Sequence, residues 1–195
     1  MTSSDPTDTR DKLMQAAIEL MAENGFKGVS TKQIAAAAGF SEMTLFRQFG
    51  TKRHLIASAV ERYHYGREMA GLFTGGFAWD LRSDLGRIGR AYQETMEHNR
   101  KLFLVVLKSD ELADIREEAN KQPRKLLDLL TDYFAEMKKR GKLIDTDAEA
   151  QAAAFIWMNY GAFMSGLFTP SPFKPDAQAA FLASGIELFV RGLTP

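Results

Sequence analysis

The chain has 195 residues, 45% of them apolar and 26% charged, with 25 Lys and Arg against 25 Asp and Glu. That balance excludes a highly charged disordered chain and a uniformly basic nucleic-acid coat, so any attraction to DNA must come from a local patch. With no cysteine, the chain holds no disulfide scaffold, thiolate metal site or cysteine nucleophile.

Its first residues are polar, and the most apolar run, Leu102 to Leu107, is too short to cross a bilayer. The expected location is cytoplasmic, with no membrane partner. Apolar spacing predicts helix almost throughout. Leu13, Ala17, Leu20 and Met21, widened by Met14 and Ile18, give a first helix stopped by Asn24-Gly25. Ser30 to Gln33 reads as a capping box, with Val29 and Ile34 at the staple positions, and the helix it opens stops at Gly39. Ser41 caps the next helix, with Phe40 and Leu45 as its staple. Two capped starts separated by a glycine turn form a helix-turn-helix pattern. Thr51 caps a fourth helix carrying Leu55, Ile56, Ala59, Val60 and Tyr63.

Residues 71–79 hold three glycines and read as a loop. Further helices are predicted from Asp80 to about His98, from near Pro123 to Arg140, from Asp147 to Phe168 and from Asp176 to Leu193. The apolar run at 102–107 is expected to be buried. Residues 169–175 are a proline-rich break.

Between Lys27 and Arg53 lie five cations (Lys27, Lys32, Arg47, Lys52, Arg53) and one acid, Glu42. The segment carries +4 in a neutral chain, so the remainder carries −4. Positive charge gathered on a helix-turn-helix is what phosphate binding requires. The second helix of such a unit enters the major groove with its N-terminal residues at base edges, here Glu42, Met43 and Thr44.

Residues 30–55, STKQIAAAAGFSEMTLFRQFGTKRHL, resemble the DNA-binding signature of the TetR/AcrR family of transcriptional regulators. The matching positions are Thr31, Ile34-Ala35, Ala38-Gly39-Phe40-Ser41, Thr44-Leu45-Phe46, Phe49, Lys52 and Leu55. The resemblance implies that Thr31 and Lys32 contact phosphate or a base, and that Glu42, Met43 and Thr44 face bases. It places Phe46, Arg47 and Gln48 against the backbone and Lys52 on a phosphate. Ile34, Ala38, Leu45, Phe49 and Leu55 are expected in the core. Phe46 stands where the family usually has Tyr, so it packs without donating a hydrogen bond. Gln48 can still donate. Glu42 is unusual against a polyanion, and is either exposed or accepts from a cytosine amino group.

The implied architecture is all-α. A three-helix helix-turn-helix DNA-binding domain spans residues 1–65, with a disordered tail at about 1–6 and a linking helix over 52–69. A helical effector-binding and dimerisation domain spans 66–195. In that second domain, polar groups in Trp157-Met158-Asn159-Tyr160 interrupt an apolar helix, and bulky Tyr92, Met96 and Phe103 lie on neighbouring ones. With Phe163, these residues are candidates to line a pocket for a small apolar effector. Most other aromatic residues there are expected in the core. Helices 147–168 and 176–193 carry more apolar surface than one monomer covers easily, with small residues permitting close approach. The resemblance implies a homodimer through this pair, reading a palindromic operator on double-stranded DNA.

No cofactor and no enzymatic activity are expected. Glu61-x-x-His64 has metal-ligand spacing but lacks a second such pair, and phosphate-loop and nucleophile-elbow motifs are absent. The expectation is a ligand-responsive regulator, most simply a repressor. The alternatives are a DNA-binding interaction protein without an effector, and a helical enzyme or lipid carrier with a vestigial DNA head.

Overall fold

A computed structural model of the protein describes residues 6–63, 65–119, 123–168 and 177–195. Among them the regular structure is entirely helical: α1 Pro6–Asn24, α2 Thr31–Ala37, α3 Glu42–Phe49, α4 Lys52–Tyr63, α5 Tyr65–Thr74, α6 Leu81–His98, α7 Arg100–Lys108, a 3-10 turn Asp110–Leu112, α8 Ala113–Ala119, α9 Pro123–Lys139, α10 Ala148–Phe168 and α11 Ala177–Leu193. No described helix is long and apolar enough to cross a membrane.

The chain divides into two compact units, Met1–His64 with Asn99–Asn120, and Tyr65–His98 with Lys121–Pro195. In the first unit, α1 buries Leu13, Met14, Ala17 and Met21 against Ile34, Leu45, Leu55 and Ile56 of the next three helices. Residues 99–120, which the sequence reading gave to the second domain, complete this core through Leu102, Val105, Val106, Leu112 and Ile115. The i, i+3, i+4 spacing of Leu102, Val105 and Val106 makes one buried face. Phe103, Leu104 and Leu107 are only half-buried, so the run is not covered on every side. Sequence order could not reveal which unit supplies the partner surface.

The second unit packs α9 against α10 and α6 against α11, with Leu85, Ile88, Leu130, Phe134 and Phe155 all 1% exposed or less. The predicted loop at 71–79 is shorter in the structure: α5 continues through Gly71 to Thr74, and the break is Gly75–Asp80. Glycine inside a helix costs about 1 kcal/mol, which packing of the α5 residue Met69, 1% exposed, offsets. Asp80 starts α6 by accepting from the Ser83 amide at 2.9 Å. Of the tail expected at about 1–6, Pro6 instead opens α1; residues 1–5 and the proline-rich break at 169–175 lie outside the described residues.

Within the break, Trp79 has φ +57°. Its ring stacks on Tyr133 with centroids 6.0 Å apart, and the Arg140 guanidinium lies 3.8 Å from its centre. The buried Asp84 carboxylate accepts from the Ala78 amide at 3.0 Å and the Tyr133 hydroxyl at 3.1 Å. Burial, reinforced by Asp84, pushes the Tyr133 phenol far above its ordinary range.

Candidate nucleic-acid interface

The helix-turn-helix is built by short-range bonds that its sequence dictates. The Ser30 hydroxyl accepts from the Gln33 amide at 3.2 Å, and the Gln33 side chain accepts from the Ser30 amide at 2.9 Å. After Ala38 the chain enters the left-handed region at Gly39, φ +79°. There the Gly39 and Phe40 amides donate to the carbonyls of Ala36 and Ala35, closing the end of α2. Ser41 restarts the helix by accepting from the Thr44 amide at 3.2 Å. Thr51 opens α4 by accepting from the His54 amide at 3.0 Å.

An eight-residue helix cannot hold itself in water. Leu45, 0% exposed, and Phe49, 5% exposed, fix α3 to the core. The opposite side turns outward: Met43 is 81% exposed, Phe46 47% exposed, and Arg47 is also exposed. Glu42, Thr44 and Gln48 are half-buried at the edges of that face. Two contacts hold α3 at its ends. The Thr31 hydroxyl donates to the Glu42 carboxylate at 2.6 Å, joining the starts of α2 and α3. Arg10 of α1 donates to the Gln48 carbonyl at 2.7 Å, its guanidinium 4.3 Å from the centre of the Phe49 ring. Sequence reasoning missed Arg10, since nothing local marks an arginine near the start of α1 as a partner of a carbonyl 38 residues away.

The five cations separate into three groups. Lys32 and Arg47 are exposed, and among the described residues neither has an ion-pair partner. Lys27 pairs with Glu111, and Arg53 with Asp114. Lys52 turns inward: its ammonium donates to the carbonyls of Phe26 and Val29, each at 2.6 Å, and lies 4.4 Å from the Phe26 ring centre. Desolvation lowers its pKa, against the pull of Glu111. These two bonds leave one of its three N–H groups unused.

The candidate effector residues divide between the two units. Tyr92, Met96, Asn159 and Phe163 are all under 5% exposed, on α6 and α10 of the second unit. The Gln93 side-chain amide donates to the Asn159 backbone carbonyl at 2.9 Å, and the Asn159 side-chain amide to the Phe155 backbone carbonyl at 2.9 Å. Tyr160 is half-buried, and desolvation raises its phenol pKa. Two placements correct the sequence reading. Trp157 is 67% exposed, because its position on α10 points away from the buried Phe155–Asn159 side. Phe103 belongs to the first unit, because α7 packs against α1. No group of three His, Asp or Glu side chains converges among the described residues, and His64 lies outside them.

This arrangement, a capped helix-turn-helix presenting the outer face of its second helix, defines a helix-turn-helix DNA-binding protein. Residues 13–59 match the model of the bacterial regulatory proteins of the tetR family. The chain is 28% identical over 188 residues to the uncharacterized HTH-type transcriptional regulator YvkB of Bacillus subtilis, covering 95% of this chain and 97% of that one. It is 28% identical over 147 residues to the HTH-type transcriptional repressor KstR2 of Mycolicibacterium smegmatis, covering 69% of each. Among solved structures, NalD of Pseudomonas aeruginosa, the secondary repressor of the MexAB-OprM multidrug efflux pump, superposes with a TM-score of 0.74 at 26% identity. That match covers 97% of this chain and 98% of NalD. Residues 13–59 thus resemble the DNA-binding segment of tetR-family regulators, and these relatives are described as transcriptional regulators.

Proposed function

We propose that the protein is a cytoplasmic, dimeric repressor that reads a palindromic operator and is released by a small, lipophilic, largely uncharged effector. The outward face of α3 carries the DNA half of the reading. Met43, Thr44 and Glu42 stand at the leading edge of a helix whose opposite stripe is fixed in the core. On this reading Met43 and Thr44 meet base edges, while Thr31, Lys32, Phe46, Arg47, Gln48 and the remaining N–H of Lys52 meet the sugar-phosphate backbone. Met43 suits a thymine methyl group.

Dimerisation is supported by α11, an apolar helix whose only buried residue among those described is Leu193, and by the exposed Trp157, Phe181 and Leu188. Pairing α10 and α11 with a second copy would cover these side chains. The effector reading is supported by the bulky, buried Tyr92, Met96 and Phe163 and the buried polar Asn159, all in the second unit. KstR2 and NalD are both described as repressors. Switching needs an effector that favours the arrangement incompetent for DNA by about 1–3 kcal/mol.

Selection from a pool of random duplexes tests the reading. The expected product is a palindrome with half-sites about one turn (~34 Å) apart. Enrichment of no sequence would overturn it. Lipophilic compounds that raise the melting temperature are then expected to release the selected duplex. If none raises it, the effector half fails.

A further inference from the structure

The segment from Asp110 to Glu118 carries five acids (Asp110, Glu111, Asp114, Glu117, Glu118) and one cation, Arg116. Its net charge of −4 matches in size the +4 of residues 27–53. The two stretches are distant in sequence, yet both belong to the first unit. Leu112, 0% exposed, and Ile115, 7% exposed, anchor the acidic segment in the core. Glu111 and Asp114, one on each side of Leu112, are thereby held against Lys27 and Arg53.

These pairs do little for the fold. The side chains of Lys27 and Arg53 are 81% and 47% exposed, and those of Glu111 and Asp114 are 34% and 63% exposed. Exposed ion pairs contribute little to stability. Lys27 and Glu111 line an open groove of about 440 Å³, where water and ions reach them. Their hydrogen bond nonetheless raises the pKa of the Lys27 ammonium and lowers that of the Glu111 carboxyl. Both groups therefore stay charged across the physiological range.

Phosphate binding by a cation draws its free energy from the release of small counterions. A cation already neutralised by a carboxylate of its own chain has fewer ions to release and must give up a partner. We infer that Glu111 and Asp114 are specificity-determining residues, intramolecular counterions that withdraw Lys27 and Arg53 from phosphate contact. Each head then grips the backbone chiefly through Lys32 and Arg47, around the α3 face that reads bases. The sequence-independent part of binding stays small, as it must for a regulator facing a large excess of non-specific DNA. The inference rests on the DNA-binding reading of this surface.

The test uses the full-length chain and a random-sequence 20-base-pair duplex, with affinity followed by fluorescence anisotropy across a salt series. The double variant Glu111→Gln, Asp114→Asn frees two cations per chain and is expected to steepen the salt slope by about 1.8 per chain. Between 50 and 200 mM salt it then loses about tenfold more affinity per chain than the unmodified protein, or about 150-fold when both heads of a dimer engage. The double variant Lys27→Gln, Arg53→Gln is expected to leave the original slope unchanged, whereas Lys32→Gln, Arg47→Gln flattens it. Melting temperatures of all three confirm folding. An unchanged slope in the acid variant, or a slope flattened by Lys27→Gln, Arg53→Gln, would overturn the inference. If neither the unmodified chain nor the acid variant binds any duplex, the DNA reading falls and the inference with it.

Discussion

Thr31 and Glu42, eleven residues apart on successive helices, are joined by a 2.6 Å hydrogen bond from hydroxyl to carboxylate. This bond gives an otherwise unfavourable acid at the leading edge of α3 a role inside the protein. It fixes the start of the reading helix relative to the helix before it, and occupies one carboxylate oxygen that a cytosine amino group would otherwise compete for.

Glu42→Gln keeps an acceptor for Thr31 and removes the charge. Affinity for all duplexes is expected to rise together, by several-fold at low salt, with the ranking of bases unchanged. Binding to a panel of duplexes varied one position at a time checks this. A changed ranking would instead put Glu42 on a base.

Arg10 acts at the other end of α3. Arg10→Ala removes a hydrogen bond to the Gln48 carbonyl and the contact with the Phe49 ring. A loss of about 1–2 kcal/mol is expected in denaturant unfolding. Operator affinity is expected to fall without a change in salt slope. A slope flattened by about 1 would show Arg10 on a phosphate rather than positioning the helix.

Leu188, 70% exposed on α11, tests the dimer. Leu188→Asp is expected to leave helical content intact, because little of this side chain is buried within one chain. The mass by sedimentation should fall to that of a monomer, and affinity for a selected palindrome by more than tenfold. An unchanged mass would place the interface elsewhere.

Glu187 gives a pH dependence. Hydrogen bonds from Arg82, then from Arg191, lower its carboxyl pKa from 4.5 to about 2. A depressed folded-state pKa means that the unfolded chain binds the proton first as pH falls. The stabilisation is therefore fully present above about pH 4.5, and is lost progressively down to about pH 2. Glu187→Gln should flatten that part of the stability profile in urea titrations at pH 6, 4, 3 and 2. A profile matching the unmodified chain would show that the pairing with Arg82 does not persist in solution.

The local grammar of the DNA-reading segment was legible because every device in it spans a few residues. Ser30 with Gln33, Gly39, Ser41 and Thr51 each sit where hydrogen-bond geometry demands their type. The contacts that orient the assembled unit were not, because they join distant stretches: Arg10 to Gln48, Lys52 to the carbonyls of Phe26 and Val29, and Glu111 and Asp114 to Lys27 and Arg53. The acid run at 110–118 was visible as composition, but only the fold reveals which cations it meets. Trp157 misled for a related reason. On a helix apolar nearly all round, periodicity does not tell the inward side from the outward one.

The two tryptophans occupy opposite surroundings. Trp79 is half-buried against the Tyr133 ring and the Arg140 guanidinium, whereas Trp157 stands two-thirds open, 67% exposed, on α10. Iodide should therefore quench the emission of one indole and spare much of the other. A single cuvette can then follow self-association through Trp157 while Trp79 reports the integrity of the Gly75–Asp80 strap, without any added dye.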